Sequence, residues 1–299
     1  MMIKKLADLV EMAKNKPTRR IAVAAAADKP VLMALKQAME DHIVLPVLVG
    51  NKEDILRIGE ELDFNFDGVE IYEEQNPKAS AVKAVSLIRE GKAEILMKGL
   101  VSSGDFLKAI LNKENGLRKS GTLSHVAFFE SPYYHKLLGL TDAALNVEPE
   151  FNDKVAILMN AVEAFHKLGV DTPKVAVVGA VETVNPKMEP STHAALLTMM
   201  NRRNQITGCI VDGPLALDNA VSAEAAHHKG IESEVAGEVD LICTPDIYSA
   251  NVMYKTLNFI GGAISAAVIM GATVPVVLTS RSDTEQSKLM SIALAAAMD

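Results

Sequence analysis

Short apolar runs alternate with longer amphipathic segments along almost the whole chain. The first run, residues 20–26, is followed by a helical pattern at 30–41, a run at 44–49, a helical pattern at 52–62 and a short run near 69–72. Short apolar runs rich in β-branched residues predict buried strands, whereas apolar positions spaced three and four apart predict helices. Strands that alternate with helices predict an α/β fold whose sheet is mostly parallel.

The pattern changes once, near the middle of the chain. Two strand-like runs, 124–130 and 136–142, are joined by Ser131–Tyr134, an arrangement more typical of a hairpin than of a helical crossover. A second alternating series follows, and 299 residues are enough for two domains. We therefore expect two α/β domains. The helices predicted for the second series span 153–168, 191–202, 219–228 and 247–259. Its predicted strands span 175–179, 206–211, 239–243 and 274–278.

Polar residues follow the predicted strand 95–97. Lys98, Gly99 and the serines at 102 and 103 lie between this strand and a predicted helix. Ligands of open α/β sheets collect beyond the carboxyl ends of the strands, so this segment is a candidate site for an anionic group. An ordinary turn in which Ser103 caps the helix is the alternative.

Further polar clusters follow the strands of the second series, at 212–218, 245–251 and 280–281. Loops at one edge of a sheet converge, so we expect these clusters to share a crevice. Ser280 and Arg281 lie where a strand leads into a helix, and backbone N–H groups, a guanidinium and a hydroxyl suit an anion there. Two helix-capping alternatives remain, a Ser282–Glu285 capping box and an N-cap at Asp246.

Composition narrows the function classes. Thirty basic and 38 acidic residues give a net charge of −8, with no tryptophan and no basic stripe, which argues against a nucleic-acid partner. No apolar run approaches the length of a membrane span and the N-terminus lacks a signal-peptide pattern, so we expect a cytoplasmic protein without a membrane partner. Cys209 and Cys243 lie in apolar runs and are predicted to be buried free thiols. No metal-ligand spacing, Rossmann fingerprint or Walker A sequence occurs.

A set of short motifs is spread in a fixed order over the whole chain. Each motif alone is weak, but the ordered set resembles the phosphate acetyl/butyryl transferase family, and more closely its butyryltransferase branch. The motifs are Met97–Gly99, Asp142–Asn146, Glu182–Met188, Gly213–Leu215 with Asp218–Val221, Pro245–Asp246 with Asn251, Tyr254 and Lys255, and Leu278–Asp283 with its Ser280–Arg281 pair.

The resemblance implies a two-domain fold similar to isocitrate and isopropylmalate dehydrogenases, with the active site in the interdomain cleft. One domain would contain 1–140 with 272–299, and the other 141–271. The implied reaction interconverts butyryl-CoA and phosphate with butyryl phosphate and CoA, by direct transfer in a ternary complex. It implies no bound cofactor, no NAD and no metal, with coenzyme A as a substrate, a homodimer or a multiple of it, and butyrate kinase as the pathway partner.

The resemblance also assigns roles to residues. Arg281 would pair with phosphate oxygens, and Ser280 would donate to the developing oxyanion or the leaving sulfur. The aspartate that acetyl-specific relatives carry after the Ser-Arg pair would fall near Gln286 and Ser287, so the thiol base stays open between Asp283 and Glu285. The implied substrate-binding residues are Lys98, Gly99, Ser103, Asn146, Glu182, Gly213, Pro214, Asp246, Asn251, Tyr254 and Lys255.

Three alternatives remain open. The same chemistry on acetyl-CoA differs only in the acyl pocket, and one methylene changes selectivity by only about 1 to 3 kcal/mol. A silent acyl-CoA-binding regulatory module is the second, and the Ser280–Arg281 pair of this chain argues against it. A dehydrogenase of similar fold would need metal-binding aspartates and a nicotinamide site.

Overall fold

The computed structural model describes residues 3–119, 121–280 and 283–298. Its first half contains α1 (Leu6–Lys14), β1 (Arg19–Ala24), α2 (Lys29–Glu40), β2 (Val44–Gly50), α3 (Lys52–Glu61), β3 (Glu70–Glu73), α4 (Pro77–Arg89), β4 (Ile95–Lys98), α5 (Ser103–Ile110), β5 (Ser124–Glu130) and β6 (Leu138–Thr141). Its second half contains α6 (Phe151–Lys167), β7 (Lys174–Val178), α7 (Glu189–Arg202), β8 (Ile210–Leu215), α8 (Leu217–Val221), α9 (Ala223–His228), β9 (Leu241–Cys243), α10 (Ile247–Phe259), β10 (Ile264–Met270), β11 (Val276–Val277) and α11 (Glu285–Ala297).

The chain divides into two compact units. The terminal unit comprises Leu6–Gly121 and Ala266–Asp299, and the middle unit comprises Met1–Lys5 and Thr122–Ser265. These boundaries differ from the expected 140/141 and 271/272. The first boundary lies earlier because β5 pairs antiparallel with β6, which holds residues 124–141 together.

In the terminal unit the strand order is β3-β2-β1-β4-β11-β10. All neighbouring pairs are parallel except β10 with β11. Residues 21–24 of β1 and 95–97 of β4 are apolar and buried, as expected for a sheet covered by helices on its faces, whereas β1 begins with two half-buried arginines and β4 ends with the buried Lys98. Helix α11 packs against α1 and α2, and its last turns, 292–297, are almost completely buried because they contain only Ile, Ala and Leu.

In the middle unit the strand order is β5-β6-β9-β7-β8. The β5–β6 pair is antiparallel and the other pairs are parallel. Helix α6 contributes Phe165 to the core, where its ring centroid lies 4.9 Å from that of Phe128. The predicted α/β class with mostly parallel strands is therefore confirmed, as is the hairpin-like β5–β6 connection.

Four sequence expectations differ from the structure. Strand β10 was missed, because Ile264–Met270 is an alanine-containing run with no helical or alternating period. The single helix predicted for 219–228 is two short helices, since the Ser222 hydroxyl caps α9. Strand β8 starts at Ile210 and runs to Leu215, beyond its predicted end at 211. Strand β11 covers only Val276 and Val277 of the predicted 274–278.

In the part of the chain that is described, no helix has the length and apolar character needed to cross a membrane.

Candidate functional site

Three parallel strands of the terminal unit, β1, β4 and β11, end at the same edge of the sheet. The register pairs Ala24 with Lys98 and Val277 with Met97, so the segments that follow these strands are neighbours. Together they line a cavity of about 220 Å³, which we call the Lys98 pocket. Its polar lining comprises Asp28, Lys98, Thr279, Ser280 and Lys288.

Lys98 is buried, with 6% of its surface exposed. Its ammonium donates to the carbonyl oxygens of Gly99 at 3.1 Å and Val101 at 3.3 Å. The carbonyl oxygens of the turn thus partly solvate the charge at the end of β4. Lys98 therefore contributes a buried positive charge to the lining of the Lys98 pocket.

Gly99 is needed for the close approach of this turn to the end of β1. Its amide donates to Ala24 O and the next amide donates to Ala25 O, both at 2.8 Å. A Cβ on Gly99 would overlap the Ala25 carbonyl oxygen and lie 2.8 Å from that of Ala24. Gly99 therefore positions the turn that carries Lys98.

The helix that follows begins with Ser103, but its N-cap is Ser102. The Ser102 hydroxyl accepts a hydrogen bond from the amide of Asp105 at 3.1 Å. The interpretation of Ser103 as the cap was therefore wrong. Ser103 is the exposed first residue of α5 and does not line the Lys98 pocket.

Ser280 follows β11 and lines the Lys98 pocket. Its amide donates to the Asp283 carboxylate at 2.6 Å, and the Asp283 amide donates back to Ser280 O at 3.2 Å. Arg281 and Ser282 lie outside the described residues. Helix α11 is capped by Thr284, whose hydroxyl accepts from the Ser287 amide at 3.1 Å, and Glu285 is its first residue. The expected capping box, which needs Glu285 three positions beyond the N-cap, is therefore wrong.

Lys288 is a pocket residue that the sequence analysis did not single out. Only 3% of it is exposed, and its ammonium donates to Ser280 O at 3.1 Å and to Asp283 O at 2.7 Å. The available signal was its spacing: position 288 falls on the same helical face as the buried Ile292. A lysine on the apolar face of a helix is a candidate for a functional charge.

In the middle unit, Asp142–Asn146 forms a turn bonded to itself. The Asp142 carboxylate accepts the amides of Ala144 at 2.9 Å and Leu145 at 3.1 Å. The Asn146 amide group donates to the same carboxylate at 2.6 Å and to Leu123 O at 2.8 Å. These contacts give Asn146 a structural role in the turn.

The amino end of α10 packs beside this turn. Asn251 donates to Ala143 O at 3.0 Å, and the Ile247 amide donates to Val147 O at 3.1 Å. Asp246 is the N-cap of α10, because its carboxylate accepts from the Ser249 amide at 2.8 Å. The N-cap alternative for Asp246 is therefore confirmed.

Tyr254 and Lys255 point to different environments. Tyr254 is buried, its hydroxyl lies 3.2 Å from Ser265 Oγ, and its ring packs edge-on against Phe129. Lys255 is exposed, with its ammonium 6.0 Å from the ring centroid of Phe259. The two residues thus do not share one binding surface, although they are adjacent in the motif.

Gly213 and Pro214 lie inside β8, and not in the loop after it as the sequence analysis expected. A Cβ on Gly213 would come within 2.7 Å of Val177 O, so the glycine permits close packing against β7. Thr198 also donates to Gly213 O at 3.1 Å. Pro214 is buried. Both residues therefore support the sheet.

Glu182 belongs to a surface ion-pair cluster. Lys229 Nζ lies 3.3 Å from its carboxylate and 3.0 Å from that of Asp218. The paired carboxylates raise the pKa of Lys229, and its ammonium lowers the pKa of Asp218. Such exposed pairs contribute little to stability. The cluster ties the segment after β7 to α8 and α9.

The two cysteines have no catalytic character. Both are buried free thiols, as predicted. Burial raises the pKa of Cys209 to about 11 and that of Cys243 to about 12. Because the thiolate is the nucleophile, neither side chain is suited to covalent catalysis at neutral pH.

The structure therefore brings Lys98, Gly99 and Ser280 together in the terminal unit and adds Lys288 to them. A pocket of about 220 Å³ is smaller than the roughly 300 to 1,000 Å³ of sites for drug-sized ligands, so it suits a small anion. Two buried ammonium groups and one carboxylate, that of Asp28, line it. The fold and this pocket define an α/β protein with a small cationic site at the carboxyl edge of its strands.

Comparison with known proteins identifies the family. The phosphate acetyl/butaryl transferase family matches residues 4–81 and 73–296. A phosphate butyryltransferase from Clostridium beijerinckii is 46% identical over 295 residues, 99% of this chain and 98% of that protein. A phosphate acetyltransferase from Thermotoga maritima is 45% identical over 291 residues, 97% of this chain and 98% of that protein.

A solved structure agrees with this result. A branched-chain phosphotransacylase from Enterococcus faecalis V583 superimposes with a TM-score of 0.84 at 33% identity, covering 94% of this chain and 99% of that one. The chain belongs to the phosphate acetyl/butaryl transferase family. It is an acyltransferase.

Proposed function

We propose that the protein interconverts butyryl-CoA and phosphate with butyryl phosphate and CoA. The observation that carries this proposal is the 46% identity, over almost the full length of both chains, to phosphate butyryltransferases of two Clostridium species. The Lys98 pocket supports it, because a small cationic pocket beside a serine suits a phosphate group. Coenzyme A is a substrate in this reaction, and no bound cofactor takes part.

The chemistry is a direct acyl transfer in a ternary complex. A phosphate oxygen attacks the thioester carbonyl carbon, a C–O bond forms, and the C–S bond breaks. The proton that monohydrogen phosphate loses ends on the CoA sulfur, so that atoms and charge balance. Direct attack needs no enzyme nucleophile, in accord with the raised pKa of both thiols.

The residues of the Lys98 pocket have distinct roles in this scheme. The Lys98 ammonium and the Arg281 guanidinium attract the phosphate, and the guanidinium provides paired donors. The Ser280 hydroxyl donates to the oxyanion that develops on the thioester oxygen, or to the leaving sulfur. Ser103 and Lys255, the two predicted substrate-binding residues that are exposed, would contact coenzyme A.

In the reverse direction the CoA thiol must lose its proton to a base. The contacts favour Asp283 over Glu285 for this role. The Asp283 carboxylate is held 2.6 Å from the Ser280 amide, whereas Glu285 is exposed and lines a separate cavity between α2 and α11. We assign the base to Asp283.

The acyl group is the least constrained part of the proposal. Relatives named for butyryl and acetyl transfer are 46% and 45% identical, so overall identity does not separate the two. A methylene changes selectivity by only about 1 to 3 kcal/mol, and use of several short acyl groups is consistent with that. Acetyl transfer is the second candidate, favoured by the Thermotoga relative.

The wider setting follows from the family resemblance. We propose a two-domain, dehydrogenase-like organisation with transfer in the cleft, a homodimer, a cytoplasmic location and butyrate kinase as the pathway partner. The exposed apolar side chains of Tyr248, Val252, Phe259 and Ile260 on and just after α10 support self-association, because apolar surface of this kind favours a protein partner.

The test follows thiol release from butyryl-CoA and acetyl-CoA, with and without phosphate, in the presence of EDTA. We expect phosphate-dependent release that favours butyryl-CoA, resists EDTA and is nearly abolished in Arg281→Ala. Preference for acetyl-CoA would select the second candidate. Absence of phosphate-dependent release from both thioesters, in folded protein, would overturn the transferase proposal and favour a silent acyl-CoA-binding module.

A further inference from the structure

Lys288 is a buried lysine in the first turns of α11. Its ammonium donates to two backbone carbonyl oxygens, those of Ser280 at 3.1 Å and Asp283 at 2.7 Å. Within the described part of the chain it forms no ion pair with a carboxylate. Among the described residues, the charge is therefore solvated by the carbonyl oxygens of Ser280 and Asp283 and not paired with an acidic side chain.

Packing alone does not account for a lysine at this position. Removing an ammonium from water is costly unless hydrogen bonds replace the lost hydration. The first turn of a helix is also an unfavourable place for a cation, because the helix dipole is positive there. A methionine would fill similar space on this face, beside Ile292, without either cost. The Lys288 ammonium therefore has a role other than filling space in the core.

The contacts show what the charge holds. Ser280 and Asp283 are already joined by two hydrogen bonds, from the Ser280 amide to the Asp283 carboxylate at 2.6 Å and from the Asp283 amide to Ser280 O at 3.2 Å. Lys288 adds a bond to the carbonyl group of each residue. It thereby ties Ser280 and Asp283 to α11, whose later turns are fully buried in the terminal unit.

We propose that Lys288 is a positioning residue for acyl transfer. It holds the carbonyl groups of Ser280 and Asp283 beside the first turns of α11, so that Ser280 lines the Lys98 pocket in the geometry that the transfer needs. Active-site groups need such support, because small displacements of a reacting group are costly in rate. The inference rests on the proposed function of Ser280 and extends it to a residue outside the family motifs.

The kinetic test compares Lys288→Met, Lys288→Arg and a control, Lys36→Met. Lys36 donates to a single carbonyl oxygen, that of Leu62 at 2.8 Å, in the same unit and outside the Lys98 pocket. In Lys288→Met we expect kcat for phosphate-dependent thiol release to fall about 100-fold, with little change in the KM for acyl-CoA. Lys288→Arg retains cationic donors and should recover part of kcat, and Lys36→Met should match the wild type.

Hydrogen–deuterium exchange provides a readout that does not depend on activity. The Ser280 and Asp283 amides should exchange faster in Lys288→Met than in the wild type, while amides of the later turns of α11 stay protected. If the wild type shows no phosphate-dependent thiol release, the proposed function fails. Hydrogen–deuterium exchange still tests whether Lys288 holds Ser280 and Asp283 in place.

Two results would overturn the inference. One is a folded Lys288→Met variant with wild-type kcat. The other is a large loss of kcat with unchanged exchange at Ser280 and Asp283, which would mean that the ammonium acts without positioning these two residues. If Lys288→Met does not fold, Lys288→Gln, which keeps an amide donor but no charge, replaces it and is judged by the same two measurements.

Discussion

The Lys288 ammonium lies 3.1 Å from the carbonyl oxygen of Ser280, eight residues earlier in the chain. This contact joins the first turns of α11 to the segment that follows β11. It places a second buried cation at the pocket that Lys98 already lines. Ser280 thus shares the Lys98 pocket with two ammonium groups and the Asp28 carboxylate, and the excess of positive charge suits a small anion.

Gly99→Ala should damage both the fold and the pocket. The new Cβ would overlap the Ala25 carbonyl oxygen, so the turn must move away from β1. We expect a loss of about 1 to 3 kcal/mol in the free energy of unfolding, with reduced activity because Lys98 moves with the turn. Urea denaturation and the thiol-release assay measure the two effects.

Gly104→Ala is the matched control for this substitution. Its Cβ would meet nothing within 4 Å, and Gly104 lies in the first turn of α5. The free energy of unfolding should increase by about 0.5 to 1 kcal/mol, since alanine favours the helix more than glycine does. Equal destabilisation by the two substitutions would contradict the role assigned to Gly99.

Asp246→Ala should lower the free energy of unfolding by about 1 kcal/mol, because α10 loses its N-cap. Asp246→Asn should keep the stability, since asparagine accepts the same hydrogen bond. Asn76→Ala, which removes the cap of α4, serves as a comparison and should cost a similar amount. If Asp246→Asn keeps the wild-type stability but raises the KM for CoA, the negative charge of the Asp246 carboxylate takes part in substrate binding.

Tyr254→Phe should weaken the fold and leave catalysis intact. The hydroxyl lies 3.2 Å from Ser265 Oγ in the interior, and its loss should cost about 1 kcal/mol. Ser265 keeps its bond from Asn258 Nδ2 at 3.1 Å. Lys255→Met, at the exposed neighbouring residue, is the control and should not change the free energy of unfolding. A higher KM for CoA in Tyr254→Phe would show that this interior assignment is wrong.

The two thiols should react only after unfolding. Burial raises the pKa of Cys209 to about 11 and of Cys243 to about 12, so little thiolate forms near pH 8. Titration with Ellman's reagent should detect no protein thiol in the folded state and both thiols in guanidinium chloride. Rapid reaction of either thiol in native protein would contradict the buried assignment.

Stability should decrease as the pH falls below the ordinary histidine range. Burial lowers the pKa of His193 from 6.5, and the nearby Lys154 ammonium, 2.9 Å from Nδ1, lowers it further, while Glu189 partly offsets both. The unfolded chain therefore takes up the proton first, and the folded state is penalised progressively below pH 6.5.

His193→Gln should flatten that decrease, and urea denaturation between about pH 5 and 8 would measure it. Above the unfolded pKa both states hold a neutral imidazole, so this contribution disappears at higher pH. An unchanged slope in the variant would show that other groups carry the acid sensitivity.

Two residues that line the Lys98 pocket, Lys98 and Ser280, were located from the sequence, and their catalytic and binding roles stay predictions. Both positions were singled out because each comes at the end of a recognisable strand, where open α/β sheets collect ligands. The same reasoning placed Gly213 and Pro214 in a loop, but β8 continues through them because glycine allows β7 to approach closely. Arg281 lies outside the described residues, and its role stays a prediction.

Side-chain environment was the part that local pattern could not provide. Asp246 and Tyr254 belong to one motif, yet one caps a helix and the other is buried beside Ser265. Residues at different positions of one helix point in different directions, so the partner that each side chain contacts depends on elements far away in the chain. Lys288 was missed for a different reason: its partners, the carbonyl groups of Ser280 and Asp283, precede α11, where helical periodicity specifies no geometry.

The sequence by itself determined the alternation of strands and helices, the α/β class and the ordered motifs that mark the family. Those features are local, because periodicity and turn residues act over a few positions. Only the tertiary structure decided which polar groups are buried, which of them cap helices and which line the Lys98 pocket. Burial and hydrogen-bond partners arise from packing between distant segments, and no local stretch of sequence specifies that packing.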